Sequence, residues 1–155
     1  MIKTAYYFTL FYLILGCHNT YLKDKDNISL IETAKKIHSK VIVLDTHNDI
    51  DVYNFSDSIN YSQNTNSQVN LPKMIKGGLD VSWLVVYTGQ GKLNKEGYNK
   101  AGINAQNKFD AINRLVNDYA SDLISLATSS REVDSIVKLG KKVAMIGVEN
   151  AYPVG

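Results

Sequence analysis

Cysteine is all but missing: Cys17 is the only one in 155 residues, so no disulfide framework can form within the chain. Neither sign of charge dominates, since 17 basic residues against 15 acidic ones leave a net charge of +2. The lysines are scattered among asparagines and acids and form no stripe, which removes the electrostatic footprint of a nucleic-acid-binding protein. Long hydrophobic runs are absent too. The longest, Ala5 to Leu15, has 11 residues, short of the ~20 that a membrane-spanning helix needs. Histidine is scarce, and His18, His38 and His47 are the only imidazoles. No internal repeat is visible, and no low-complexity tract beyond a bias toward asparagine. What remains, 45% hydrophobic and 21% charged, is the balance of a single globular domain.

The start of the chain, MIKTAYYFTLFYLILGC, places one positive residue (Lys3) before the apolar run and a small residue, Gly16, directly before Cys17. That is the layout of a secretory signal peptide. Its tail, Ile14-Leu15-Gly16-Cys17, resembles the bacterial lipoprotein box, in which the cysteine becomes the lipidated first residue after cleavage, although Leu15 is bulkier than usual there. The expectation is a signal peptide over 1–16, a tether over 17–27 following a lipidated Cys17, and a barrel portion over 28–155. Such a protein is exported and held to a membrane by its lipid, in the periplasm or at the cell surface. His18 rather than an aspartate after the cysteine points to the outer membrane.

From Asn27 the pattern becomes helical: Ser29 and Glu32 have capping-box spacing, and Ile28, Ile31, Ala34 and Ile37 share one face, with an end near Ser39. Val41 to Leu44 is a continuous apolar, β-branched run, expected as a strand buried on both faces of a parallel sheet. Residues 53–68 are polar, rich in Asn and Ser, and aperiodic, hence a long surface loop. Leu71 to Lys76 is expected as a short helix with Pro72 at its start and Gly77-Gly78 as its stop. A second strand runs from Asp80 to Tyr87. After the loop TGQGKLNKEG the longest helix carries Phe109, Ile112, Val116, Tyr119, Leu123 and Leu126 on one stripe. A shorter helix follows with Ser129 and Glu132 as a capping box and Gly140 as its stop. Val143 to Val148 is the third strand. Alternating strands and helices predict an α/β fold with parallel strands, and the outer edge of the third strand has no visible partner.

Ligands of parallel α/β sheets bind at the carboxyl ends of the strands. His47 and Asp49 stand two apart at such an end, so an extended backbone places both on one face. An imidazole and a carboxylate so arranged are two arms of a site for a borderline cation such as zinc. Glu149 ends the third strand and converges on them if the sheet curves. A loop cap beside a solvated neighbour would account for His47 and Asp49 equally, and a turn acceptor for Glu149. Asn150 and Tyr152, which follow, are either pocket residues or turn residues.

Three ordered motifs nevertheless share one resemblance. VIVLDTHND resembles the first-strand motif Asp-x-His-x-Asp of the membrane dipeptidases (renal dipeptidase-like, peptidase family M19). QVNLPKMIKGGLDVSWLVVY and VAMIGVENAYPVG resemble the stretches around that family's next two strands, so the likeness spans about Val41 to Gly155. The resemblance implies the amino-terminal part of a (β/α)8 TIM-like barrel, with about three strand-helix units present, and hydrolysis of dipeptides by a water activated between two zinc ions. His47 and Asp49 would bind the first zinc, and Glu149 would bridge both and carry catalysis. The family's further histidine ligands, its substrate-binding arginine and a late aspartate have no counterpart here, and His18 and His38 are expected to be solvent-facing or helix-terminal. The second zinc site is therefore incomplete, and the chain is expected to be an amino-terminal fragment inactive alone, its three strands poorly folded. Another metal-dependent amidohydrolase would typically open with His-x-His, which Asp49 opposes. A non-catalytic, lipid-anchored binding or structural remnant is the alternative from outside enzymology.

Overall fold

The computed structural model describes residues 27–155. The expected signal peptide, Cys17, His18 and nearly all of the expected tether lie outside the described residues. The chain divides into two compact units, Met1–Val41 and Ile42–Gly155. In the first, residues 27–38 form one helix, α1. The chain is already helical at Asn27, so Ser29 lies inside α1 rather than at its cap, and its carbonyl accepts the Thr33 hydroxyl at 2.9 Å.

The second unit runs β1 (Leu44–Asp49), a 3-10 turn (Val52–Asn54), α2 (Leu71–Gly77), β2 (Val81–Val86), α3 (Lys95–Arg114) with a π-turn (Leu115–Tyr119), β3 (Ile124–Leu126), α4 (Ser130–Lys138), β4 (Lys142–Val148) and a last 3-10 turn (Tyr152–Val154). Among the described residues no helix is long and apolar enough to cross a membrane. All strand pairs are parallel, in the order β1-β2-β4-β3.

This order fixes where the helices go. From β1 to β2 and on to β3 the chain advances across the sheet, but from β3 to β4 it steps back. Right-handed crossovers in opposite directions put their helices on opposite faces. Accordingly Leu71 and Met74 of α2, with Ala105 and Ile112 of α3, pack against Leu84, Val86 and Ala144. Val133, Ile136 and Val137 of α4 pack on the other face, with Val81, Trp83, Val143 and Met145. Leu84, Ile112 and Leu71 are almost completely buried, each contributing about 1.5–3 kcal/mol by its removal from water.

The short elements form where their caps allow. The Asn70 side chain accepts the Lys73 N–H at the start of α2, Pro72 occupies its first turn, and Gly78, at φ +70°, ends it in the left-handed region. Ser129 and Glu132 form the expected capping box on α4. At the base of the sheet, Asp80 accepts the Val43 N–H at 3.0 Å and the Lys142 ammonium at 2.9 Å, tying together the starts of β1, β2 and β4.

Several expectations change. The sheet has four strands rather than three, because the helix expected to reach Leu126 ends earlier. The Ala120 N–H reaches back to the Leu115 carbonyl at 3.0 Å, and this five-residue spacing unwinds α3 and frees Ile124 to join β4. Leu123 and Leu126 continue the helical spacing only by coincidence of period. The outer edge of β4 is therefore covered over Lys142–Ala144 by β3. The first strand starts at Leu44 and is an edge strand; Leu44 is 53% exposed, so it is not buried on both faces. An apolar β-branched run favours a strand but says nothing of its place in the sheet. The 53–68 loop is only partly superficial. Phe55, Asn60 and Tyr61 are buried, with the two rings 4.4 Å apart, and Arg114 donates to the Phe55 carbonyl.

Candidate metal centre

β1 does not run regularly beside β2. Asp45 pairs with Ser82 and Asn48 with Leu84, so β1 spends three residues where β2 spends two. The extra residue, within Thr46-His47, is a β-bulge, and bulges re-aim side chains. In a regular strand Asp45, His47 and Asp49 would all lie on one face. Here Asp45 shares the face of Ser82, while Asp49, opposite Val85, lies on the other face with Trp83. The downstream end of the bulge is held by Asn48, whose amide donates to the buried Ser82 hydroxyl at 2.9 Å. Asp45 caps the upstream end, its carboxylate accepting the His47 N–H at 3.0 Å.

On the Trp83 face His47 Nε2 stands 3.7 Å from Asp49 Oδ2 and 3.6 Å from Glu149 Oε2. Glu149 leaves β4 next to β2, its N–H donating to the Val86 carbonyl at 3.3 Å. One ligand atom from each residue lies within 4.8 Å of the others, and among the described residues this is the one such group. Two ligands bound 2.0–2.2 Å from one tetrahedral zinc stand roughly 3.3–3.6 Å apart, so the separations suit a shared ion. One imidazole and two carboxylates with an open position are also a donor set that zinc accepts. The side chains are 55%, 61% and 40% exposed, so solvent reaches the group freely. Of the other histidines, His38 belongs to α1, in the first unit.

A cleft of about 400 Å³ opens beside His47 and Asp49, lined by Asn48, Asp51, Asn54, Tyr61 and Gln68 among others. Burial pushes the Tyr61 phenol up. Beyond Glu149 the chain is strapped down. Asn150 donates to the Thr88 carbonyl at 3.1 Å and accepts the Tyr152 N–H at 3.1 Å, while the Tyr152 hydroxyl donates to the Lys92 carbonyl at 2.8 Å. Both residues thus make turn contacts that fix the exit of β4. A second cleft, about 300 Å³ between Thr88, Lys92, Lys100 and Tyr152, contains no comparable cluster.

The sequence pattern of the membrane dipeptidases (peptidase family M19) matches residues 31–155. The chain belongs to the membrane dipeptidase family. Eleven solved chains match its fold. One is the crystal structure of the probable dipeptidase PvdM from Pseudomonas aeruginosa, with a TM-score of 0.74 at 17% identity over 82% of this chain. The shared region covers 32% of the PvdM chain, so the present chain spans about a third of that protein. No curated protein gives a significant match. The four-stranded parallel sheet is consistent with part of a dipeptidase barrel, and M19 dipeptidases are metal-dependent peptidases. Asp45 stands in the sequence motif, but sequence reasoning gave it no role. Its signal was its place two residues before His47, which becomes informative only once the partner strand shows the bulge.

Proposed function

We propose that this membrane dipeptidase chain carries one half of a zinc-dependent dipeptidase centre. His47 and Asp49 would hold the first zinc, and Glu149 would be shared with a second. The observation that supports this most directly is the position of His47 Nε2 within 3.7 Å of carboxylates from two different strand ends, in a family of metal-dependent peptidases. Zinc, when bound, supplies the Lewis acidity that polarises a scissile carbonyl and makes water a nucleophile near neutral pH. The chain's own residues would hold the ion and present the polar cleft of Asn48, Asp51, Asn54 and Gln68 to a dipeptide. Cys17 anchors the exported chain to a membrane through lipid.

A two-ion centre needs more ligands than these three. The 155-residue chain by itself therefore binds zinc weakly and does not cleave dipeptides, whereas a form extended to a complete barrel does both. The exposure of all three ligands favours a second reading, a non-catalytic, lipid-anchored remnant of the family. Dipeptide hydrolysis with added zinc, measured on the chain and on the extended form, separates the two. In the extended form Asp49→Ala or Glu149→Ala abolishes turnover, and normal turnover in either variant refutes the site. A completed barrel that stays inert leaves the remnant reading standing.

A further inference from the structure

The strand that carries His47 and Asp49 contains one residue too many, and the surplus is pinned by a side chain that stays out of the cluster. Asp45 would share a face with His47 and Asp49 in a regular strand, where it would add a third carboxylate beside the imidazole. The bulge turns it to the opposite face. There its carboxylate accepts the His47 N–H at 3.0 Å. This amide falls within the stretch where the β1–β2 pairing is interrupted, so the bond closes a small ring from the Asp45 side chain to the backbone two residues on. Such a ring fixes the local dihedral angles from which the imidazole projects. Asn48, bonded to Ser82 at 2.9 Å, fixes the other end, leaving the Thr46-His47 unit little freedom to slide.

We infer that Asp45 is a positioning residue for the metal centre: by accepting the His47 N–H it locks the β1 bulge and aims the imidazole between Asp49 and Glu149. This rests on the ligand reading of His47 proposed above. Groups that orient a ligand without touching the ion typically change metal affinity by 10–100-fold when removed. Because the lock depends on ring size and an acceptor oxygen, Asp45→Asn keeps it without the charge. Asp45→Glu keeps the charge, but its extra methylene breaks the ring. Asp45→Ala loses both.

The experiment is a Co(II) titration of the full 155-residue chain and these three variants, followed by the visible d–d spectrum. Thermal melts and the ¹⁵N–¹H signal of the His47 amide in the metal-free chains accompany it. The expected result is wild-type affinity, spectrum and amide position in Asp45→Asn. Asp45→Ala and Asp45→Glu should bind roughly 10–100-fold more weakly, with an altered spectrum and a shifted, faster-exchanging His47 amide at nearly unchanged melting temperature. Wild-type cobalt affinity in Asp45→Ala or Asp45→Glu overturns the proposal. So does weak binding in Asp45→Asn with normal binding in Asp45→Glu, because charge rather than position would then be responsible. Should Asp45→Ala fail to fold, the Asn and Glu pair carries the same decision. A His47→Ala control separates the two levels: if it leaves cobalt binding untouched, the ligand reading itself falls and the role of Asp45 falls with it.

Discussion

Two glycines of α3, five residues apart, ought to respond in opposite ways to the same substitution. In a helix alanine is favoured over glycine by about 0.8–1 kcal/mol. At Gly102 an added Cβ would meet the Pro153 carbonyl at 3.5 Å, an ordinary contact, so Gly102→Ala should gain most of that preference. At Gly97 the same atom would stand 1.9 Å from the Lys92 carbonyl oxygen and 2.6 Å from the Tyr152 hydroxyl. The carbonyl is backbone and must move, yet it accepts both the Asn94 N–H at 2.9 Å and the Tyr152 hydroxyl at 2.8 Å. Losing two hydrogen bonds at about 1 kcal/mol each, against a propensity gain of about 1 kcal/mol, leaves Gly97→Ala destabilised by roughly 1 kcal/mol. For a chain of this size 1 kcal/mol moves the melting temperature by about 2–4 °C. Thermal unfolding followed by circular dichroism should therefore show Gly102→Ala about 2–4 °C above the parent and Gly97→Ala about 2–4 °C below it. A Gly97→Ala protein melting at or above the parent would show that the strap from Tyr152 to Lys92 moves without loss.

The cap of α4 should make stability depend on acid. Glu132 Oε2 accepts the Thr128 N–H at 2.6 Å, the Thr128 hydroxyl at 2.9 Å and the Ser129 N–H at 3.1 Å, and these bonds, the Thr128 backbone N–H foremost, hold its carboxyl below the usual glutamate value. A depressed folded-state pKa contributes stability that is present above the unfolded value and lost as pH falls through the folded one. Urea midpoints should accordingly drop more steeply on acidification in the parent than in Glu132→Gln, and parallel curves would refute the cap's ionic role. For the proposed lipid anchor, labelled palmitate should enter the exported parent and be lost in Cys17→Ser, and equal labelling in both would remove the anchor.

Legibility followed the range of the forces involved. The capping box of α4, the Pro72 start and Gly78 stop of α2 and the apolar core of β2 were readable because each depends on residues within about a turn of one another. The convergence of His47, Asp49 and Glu149 was readable because each falls at or just beyond the carboxyl end of a strand, where a parallel sheet gathers its polar groups. The bulge was not, since one extra residue in β1 exists only by comparison with β2. Nor was β3. Nothing local distinguishes Leu123 and Leu126 from further turns of α3, and only pairing with Lys142–Ala144 decides against the helix. The edge position of β1 was hidden for a similar reason, because hydrophobicity reports a preference for burial and not whether a neighbour arrives to satisfy it.

The backward step from β3 to β4 also shapes the electric field. It places α4 against the amino-terminal half of the very face whose carboxyl end carries Asp49 and Glu149. Along the strand axis the surface therefore passes from the oily layer of Val133, Val81 and Val143, through Trp83 and Met145, to Asp49 level with Val85 two residues on and Glu149 four residues beyond Met145. Low-dielectric material beneath a pair of like charges sends their field lines outward instead of letting them spread through the protein. A cation binding at the proposed site should therefore be drawn most strongly from the carboxyl side, along the line of the strands.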